Sequence, residues 1–320
     1  MKELVQAIKG LDDFLICMHV DPDGDTIGSA CALSLALQKL GKTSTIYSPD
    51  PVPAMYSFIK NSQNTLRSPE KTGKRFGAVI ALDCADLKRI EAGHKIKDLG
   101  GTLINIDHHE DNTLFGDLNL VRNISSTGEI VYDLIKELGV EVDEQIAQAV
   151  YVAMITDTGS FRFSNTSERV FAIAAELVKC GIDVSAIATS LYDSRSEGEL
   201  RALAASLNRI ERYCGGKIAV SYLSDREIAS FGVVSQEMQG IVDYLRSIRD
   251  VEIAVFLRQT QDGRVKINFR SKTFDIQQIA KALGGGGHKR ASGAVLDGPL
   301  DEAKKKAIGT TEAIWTASLR

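Results

Sequence analysis

The first half of the chain alternates apolar runs of strand length with segments of helical period, and no other feature restricts the fold as much. "DFLICMHV" (13–20) leads into the turn "DPDGD" and then into "TIGSACALSLALQKLG", whose small and apolar residues fit a buried helix ended by Gly41. "TSTIYS" (43–48), "GAVIALD" (77–83) and "GGTLINID" (100–107) read as three further strands. The unbroken apolar character of 77–83 suits a strand covered on both faces, as in a parallel sheet. "SSTGEIVYDLIKELG" opens with Ser126 and Glu129 at capping-box spacing and ends at Gly139. "DEQIAQAVYVAMITDTG" is a helix that runs out between Asp157 and Gly159, and 167–181 is another. The expected fold is α/β, with a mostly parallel sheet in the N-terminal part.

The pattern restarts in the second half. "KIAVSYL" (217–223) and "VEIAVFLRQ" (251–259) are strands, and "DGRVKINFRS" (262–271) is a turn and a strand that make 251–271 a hairpin. "DIQQIAKALGGGG" is a helix ending in four glycines. The stretch between the halves is polar and then helical, without a Gly/Pro/Ser run, so it reads as a connector and not a flexible linker. A chain of 320 residues exceeds one comfortable core. The expected organisation is a first domain over 1–190, a helical connector over 191–214 and a smaller α/β domain over 215–320.

Charge divides along the same line. The net charge is −4, but residues 1–214 hold 22 basic and 30 acidic side chains, against 16 and 12 in residues 215–320. An acidic part suits cations and a basic part suits an anion, although two solvated surfaces would explain the split equally well. No run of 18 apolar residues is present, so no membrane span is expected. The start, "MKELVQAIKG", reads as a short amphipathic helix and not as a signal peptide. Five scattered cysteines without a CxxC pair point to reduced thiols in a cytoplasmic protein.

Acids and histidines gather at the ends of the predicted elements. His19, Asp21, Asp23 and Asp25 follow the first strand, and Asp83 closes "VIALD". Asp107, His108 and His109 close "TLINID", and Asp157 closes its helix. Ligands of an open parallel sheet sit beyond the carboxyl ends of its strands, so these residues can meet in space. Taken singly, each has an ordinary reading: "DPDGD" as a surface turn, Asp83 as a helix cap, the paired histidines as a core pair. Taken together, four such coincidences at consistent element ends are a poor explanation. Acids packed this closely repel unless a cation neutralises them. Carboxylates with some imidazole and no thiolate favour Mn²⁺, with Mg²⁺ or Fe²⁺ less well suited. The ligands suffice for two divalent ions, the arrangement that hydrolyses phosphoesters with water as nucleophile. His94, among polar neighbours, is expected at the surface.

"HVDPDGDTIGS", "ALDCAD", "DHH" and "DTGSFRF" resemble the four motifs of the DHH phosphoesterase superfamily, and "NFRS" with "GGGGHKRASG" resembles its associated C-terminal domain. The resemblance covers nearly the whole chain, in order. It implies one metal on His19, Asp23 and Asp83 and a second on Asp25, Asp83, His108 and Asp157, with Asp83 bridging. It puts His109 beside the substrate phosphate and gives Asp107 the task of orienting an imidazole. Asp21 and Asp86 are left as structural support. The resemblance also implies that substrate lies in a cleft between the domains and is gripped by Arg270, Ser271, Gly285, Gly286, Gly287 and His288. Glycines let the backbone approach an anion, and an Arg can hold phosphate with two hydrogen bonds. Lys289 and Arg290 are read as exposed charge, and Arg162 as a weaker substrate candidate.

Within the superfamily, family II pyrophosphatases carry a different C-terminal domain, and RecJ-type exonucleases carry a further nucleic-acid-binding domain. Membrane-tethered c-di-AMP enzymes carry N-terminal spans. There is no long basic track here for a long strand or duplex. The expected partner is therefore short RNA or a small nucleotide, with no membrane and no long duplex nucleic acid, and a homodimer is left open. The expected enzyme is a nanoRNase that also dephosphorylates 3′-phosphoadenosine 5′-phosphate. The alternative is a soluble phosphodiesterase for c-di-AMP or its linear dinucleotide.

Overall fold

Parallel strands need a crossover between them, and each strand of the first half is followed by a segment long enough to supply one. In the computed structural model, which describes residues 1–91, 94–233, 238 and 240–319, the chain divides into two units, Met1–Ser194 and Arg195–Arg320. Among the described residues, the first unit holds β1 (Phe14–Cys17), β2 (Ser44–Tyr47), β3 (Thr65–Leu66), β4 (Phe76–Leu82), β5 (Gly100–Asp107) and β6 (Leu118–Val121). They form one sheet in the order β3-β2-β1-β4-β5-β6, and every pairing is parallel. The helices are α1 (Lys2–Gly10), α2 (Gly24–Lys39), α3 (Lys88–Glu91), α4 (Thr127–Glu137), α5 (Glu144–Asp157), α6 (Glu168–Lys179) and α7 (Val184–Tyr192).

Alternation along the strands feeds two cores. Phe14, Ile16, Ala78, Ile80 and Leu82 point into the layer of α2, α4 and α5. Leu15, Cys17, Val79 and Ala81 point to the opposite face, with Tyr47 and Ile96. Both faces are covered, which explains the continuous apolar run at 77–82. Where α2 crosses α5, a Cβ on Gly28 would stand 2.3 Å from the Ala149 carbonyl oxygen. That glycine allows the two helix backbones to touch.

The second unit contains α8 (Glu197–Asn208), β7 (Glu211–Tyr213), β8 (Ile218–Leu223), α9 (Asp225–Ser230), α10 (Ile241–Ser247), β9 (Ile253–Gln259), β10 (Val265–Ser271), α11 (Gln277–Ala282), β11 (Gly286–Gly287), β12 (Ala291–Leu296) and α12 (Leu300–Ser318). Its sheet runs β11-β12-β10-β9-β8-β7 and is mixed: β8 and β9 are parallel, and the other neighbours are antiparallel. Ile253, Val255 and Leu257 pack with α11 and α12, and Ala254 and Phe256 pack with α8 and α10. Of the stretch 191–214, α8 buries Ala202 in this second core and β7 is the sheet's edge strand.

Several local expectations need correction. β1 stops at Cys17, so "MHV" lies beyond the strand. Ser126 caps α4, but the Glu129 carboxylate turns to the Ser125 hydroxyl and N–H and not to the Ser126 N–H, so only half of the capping box forms. The helix expected to end in "GGGG" stops at Ala282, and the last two of those glycines pair with Gly293 and Ser292 as β11. His94 is partly buried, with its Nδ1 2.9 Å from Glu70. Cys17, Cys31 and Cys84 are buried, and all five thiols are unpaired.

Candidate metal centre

A strand order that runs outward in both directions from β1 and β4 reverses between those two strands, and a crevice opens beyond their carboxyl ends. The chain leaves β1 into His19 and leaves β4 into Asp83. Asp83 has φ 57°, a left-handed conformation that costs a non-glycine residue about 1–2 kcal/mol and turns the chain sharply away from the strand. Asp21 is also left-handed (φ 51°), with its N–H on the Asp50 carboxylate at 2.8 Å. Asp23 then caps α2, accepting from the Asp25 and Thr26 N–H groups. Next to β4, β5 ends at Asp107 and delivers His108 and His109. Asp157 arrives from the C-terminal end of α5, which Gly24 and Gly28 allow close to α2: a Cβ on Gly24 would meet the Thr156 side chain at 2.4 Å.

These residues come together in overlapping groups. His19 Nε2 lies 3.7 Å from Asp23 and 3.5 Å from Asp83 Oδ2. His108 Nε2 lies 3.4 Å from Asp83 Oδ1, 3.7 Å from Asp25 and 3.8 Å from Asp157. Asp83 thus offers one oxygen to each imidazole. Asp23 has a side-chain exposure of 52%, whereas His19, Asp25, Asp83 and His108 are buried, so one group opens outward and the other is enclosed.

The donor set fits divalent cations. His19 Nδ1 is 2.7 Å from the Val20 carbonyl and His108 Nδ1 is 3.1 Å from that of Ile124. A carbonyl only accepts, so the His108 Nδ1 carries the proton; the His19 Nδ1 lies between the Val20 carbonyl and the Arg89 guanidinium, 3.2 Å away, and in both residues Nε2 is the nitrogen turned to the acids. The spacings of 3.4–3.8 Å are too long for good hydrogen bonds. Side chains about 2.1 Å from a shared ion would have donor atoms about 3.0–3.4 Å apart, close to what is seen. Oxygen-rich donors without a thiolate suit a hard ion.

The electrostatics show what a cation would relieve. Burial, followed by the Asp83 charge, drives the Asp25 carboxyl well above its usual range. Burial raises Asp157 to about 6, with Asp83 and Asp23 adding to it against His108. Burial would raise Asp83 too, but the His108 and His19 imidazoles outweigh it and hold it well below the carboxylate range. For His19, burial and the Arg89 guanidinium press downward, and Asp23 and Asp83 prevail, lifting it to about 9. Protons on imidazoles and on some of the acids do the balancing that a metal could do.

Beside this group, Asp107 Oδ1 is 2.7 Å from His109 Nδ1, and Asp107 Oδ2 accepts from Asn112 Nδ2 at 2.6 Å. Asn112 also donates to the Cys84 carbonyl at 3.1 Å. His109 is thus oriented by a buried carboxylate that is itself anchored. Arg162 is exposed and donates to the Gly159 carbonyl at 2.7 Å. Asp86 accepts from the Lys88 N–H.

In the second unit, a Cβ on Gly285 would stand 2.0 Å from the Gly293 carbonyl oxygen, and Gly287 has φ 128°. Both positions therefore need glycine, while Gly286 opens to free space. His288 and Ala291 exchange backbone hydrogen bonds across the turn of Lys289 and Arg290. Arg270 is the penultimate residue of β10, opposite Ala291 and 3.8 Å from Asp243. Ser271 is buried and its hydroxyl donates to the Phe274 carbonyl.

Sequence reasoning passed over the residues that hold the candidate ligands and Asp107 in place. Asn112 stood three positions beyond the paired histidines, where a short polar side chain reads as loop. Asn165 donates to the Asp157 carbonyl at 3.1 Å and to the Ser125 carbonyl at 2.9 Å. Thr127 and Gly128 touch the acids of the enclosed group, but in the sequence they read only as a helix start.

Comparison with known proteins identifies the two domains. The family model described as "DHH family, N-terminal domain" matches residues 13–154, and that of the DHHA1 domain matches residues 215–314. The chain is 35% identical over 309 residues to a Thermus thermophilus protein named bifunctional oligoribonuclease and PAP phosphatase NrnA, covering 96% of this chain and 90% of the relative. It is 28% identical to the Bacillus subtilis protein of the same name, covering 92% of each. The crystal structure of an exopolyphosphatase-related protein from Bacteroides fragilis superposes with a TM-score of 0.89 at 29% identity, covering 98% of this chain and 95% of that one.

Proposed function

The chain belongs to the DHH family and carries a DHHA1 domain, and from that premise we propose that it hydrolyses short oligoribonucleotides to mononucleotides and 3′-phosphoadenosine 5′-phosphate to AMP. The observation that carries the reading is Asp83, whose two oxygens face two imidazoles in adjoining ligand groups. A relative with 35% identity over 96% of this chain supports the choice of substrates.

Two divalent ions, Mn²⁺ preferred, are proposed: one held by His19, Asp23 and Asp83, the other by Asp25, Asp83, His108 and Asp157. Such ions supply a more acidic water and stabilise charge on phosphoryl oxygens. The chain's own residues do the rest. Asp83 keeps the two ligand groups in register. His109 contacts the phosphate, and its ring is fixed by Asp107, as catalytic imidazoles commonly are by a carboxylate. Arg270, His288 and the backbone of Gly285–Gly287 grip a phosphate of the substrate, with Ser271 bracing the end of β10. Arg162 is a further candidate contact. The cytoplasm is the proposed compartment, since five unpaired thiols suit a reducing one. Among the described residues no helix is long and apolar enough to cross a membrane.

The test is turnover with Mn²⁺ on a ladder of short RNAs, 3′-phosphoadenosine 5′-phosphate, c-di-AMP and pyrophosphate, side by side. Rapid turnover of the RNAs and of the adenosine bisphosphate is expected. A clear preference for c-di-AMP or pyrophosphate would overturn the assignment.

A further inference from the structure

The start of α4 does more than begin a helix. The Thr127 N–H donates to Asp25 Oδ2 at 2.7 Å, and the Gly128 N–H donates to Asp25 Oδ1 at 2.8 Å. The Thr127 hydroxyl donates to Asp83 Oδ1 at 3.2 Å. One residue therefore holds two carboxylates, one from the first turn of α2 and one from the end of β4. Gly128 makes the approach possible, because a Cβ there would lie 2.4 Å from the Ala153 methyl.

The hydroxyl is not needed by the helix itself. Ser126 is the N-cap and accepts the Glu129 N–H at 3.2 Å. Thr127 is fully buried, and among the described residues its hydroxyl bonds to Asp83 alone. The bond goes to one oxygen in particular. Oδ1 faces His108 of the enclosed group, whereas Oδ2 faces His19 of the outer group.

From this we infer that Thr127 is a positioning residue for the enclosed metal site alone: its hydroxyl aims Asp83 Oδ1, and its N–H aims Asp25, at one ion. The inference rests on the metal-centre reading given above. Residues that orient ligands change metal affinity by about 10- to 100-fold when removed. The outer group, His19, Asp23 and Asp83 Oδ2, receives no bond from Thr127 and keeps its affinity.

Thr127→Val removes the hydroxyl, conserves the branched shape and leaves the N–H in place, with similar helix propensity. The experiment is Mn²⁺ titration of the full-length, metal-stripped protein by calorimetry, with ion content checked by atomic emission. Wild-type protein is compared with Thr127→Val and Thr127→Ser. The expected result is two binding events in the wild type. In the valine variant one of them weakens by about 10- to 100-fold and the other by less than about threefold. Serine restores both. If the valine variant does not fold, Thr127→Ala removes the same hydroxyl and is read in the same way. Unchanged binding by the valine variant, equal weakening of both events, or failure of serine to rescue would each overturn the role of Thr127. A wild-type protein that takes up no ion would overturn the metal reading and this inference with it.

Discussion

Gly28→Ala adds one methyl group where α2 crosses α5, more than a turn away from any proposed ligand on α5, and it is expected to damage the metal centre. The new Cβ would stand 2.3 Å from the Ala149 carbonyl oxygen and 2.9 Å from the Ala153 nitrogen. Non-bonded carbon contacts settle at about 3.5 Å, so the helices must part by about 1 Å. Both obstructing atoms are backbone, and no rotamer change relieves them. Overpacking of this kind costs about 1–3 kcal/mol, against about 1 kcal/mol gained by replacing glycine inside a helix. The net loss of up to about 2 kcal/mol lowers the melting temperature by up to about 8 °C for a unit of this size. The functional loss is larger, because α2 carries Asp25 and α5 carries Asp157, both 4 Å or less from His108. A misplacement of about 1 Å can cost about 100-fold in rate. The assay is kcat/KM on a short RNA with Mn²⁺, together with thermal melting. Gly309→Ala in α12 is the control, since its Cβ would meet nothing within 4 Å and should be neutral or slightly stabilising. If Gly28→Ala keeps kcat/KM within about threefold of wild type and melts unchanged, the helix contact does not set the site geometry and the reasoning fails.

Asp83→Ala should abolish hydrolysis even with Mn²⁺ in excess, and substantial residual turnover would contradict the shared-ligand arrangement. His288→Ala should raise KM for short substrates while bound metal, measured by atomic emission, stays at the wild-type level; loss of metal would reassign that histidine. The second unit should respond to acid through Glu227, which the Arg209 guanidinium holds down to about 2, from an ordinary 4.5. A depressed carboxyl contributes stability that is full above about pH 4.5 and disappears as pH falls towards 2. Glu227→Gln should therefore flatten the loss of stability across that window in acid titrations followed by circular dichroism, and an unchanged slope would refute the assignment.

The features legible in the sequence were those written in local chemistry. Apolar runs of strand length marked β1, β2, β4 and β5, and helical period marked α2, α4, α5 and α6, because a strand covered on both faces is apolar throughout and a packed helix repeats at its own period. The candidate ligands were legible for a related reason. A parallel sheet puts functional side chains at strand ends, and acids and histidines stood out there against apolar runs. The short edge strands β3, β7 and β11 were not legible. Two or three residues carry no period, and β11 is built from glycines that have no side chain to read. Thr127 and Asn112 were missed because a helix start or a loop uses the same residues for local bonds.

The sequence by itself determined the fold class, the residue types at the crevice and the family to which they belong. Only the tertiary structure decided how those residues share their work. The strand order, which brings β1 beside β4, is a pairing over some sixty residues that no local pattern encodes. The division of Asp83 between two imidazoles depends on a left-handed turn at the end of β4 and on a hydroxyl delivered by α4. Orientation of a carboxylate is set by everything packed around it, and packing exists only once the chain has folded.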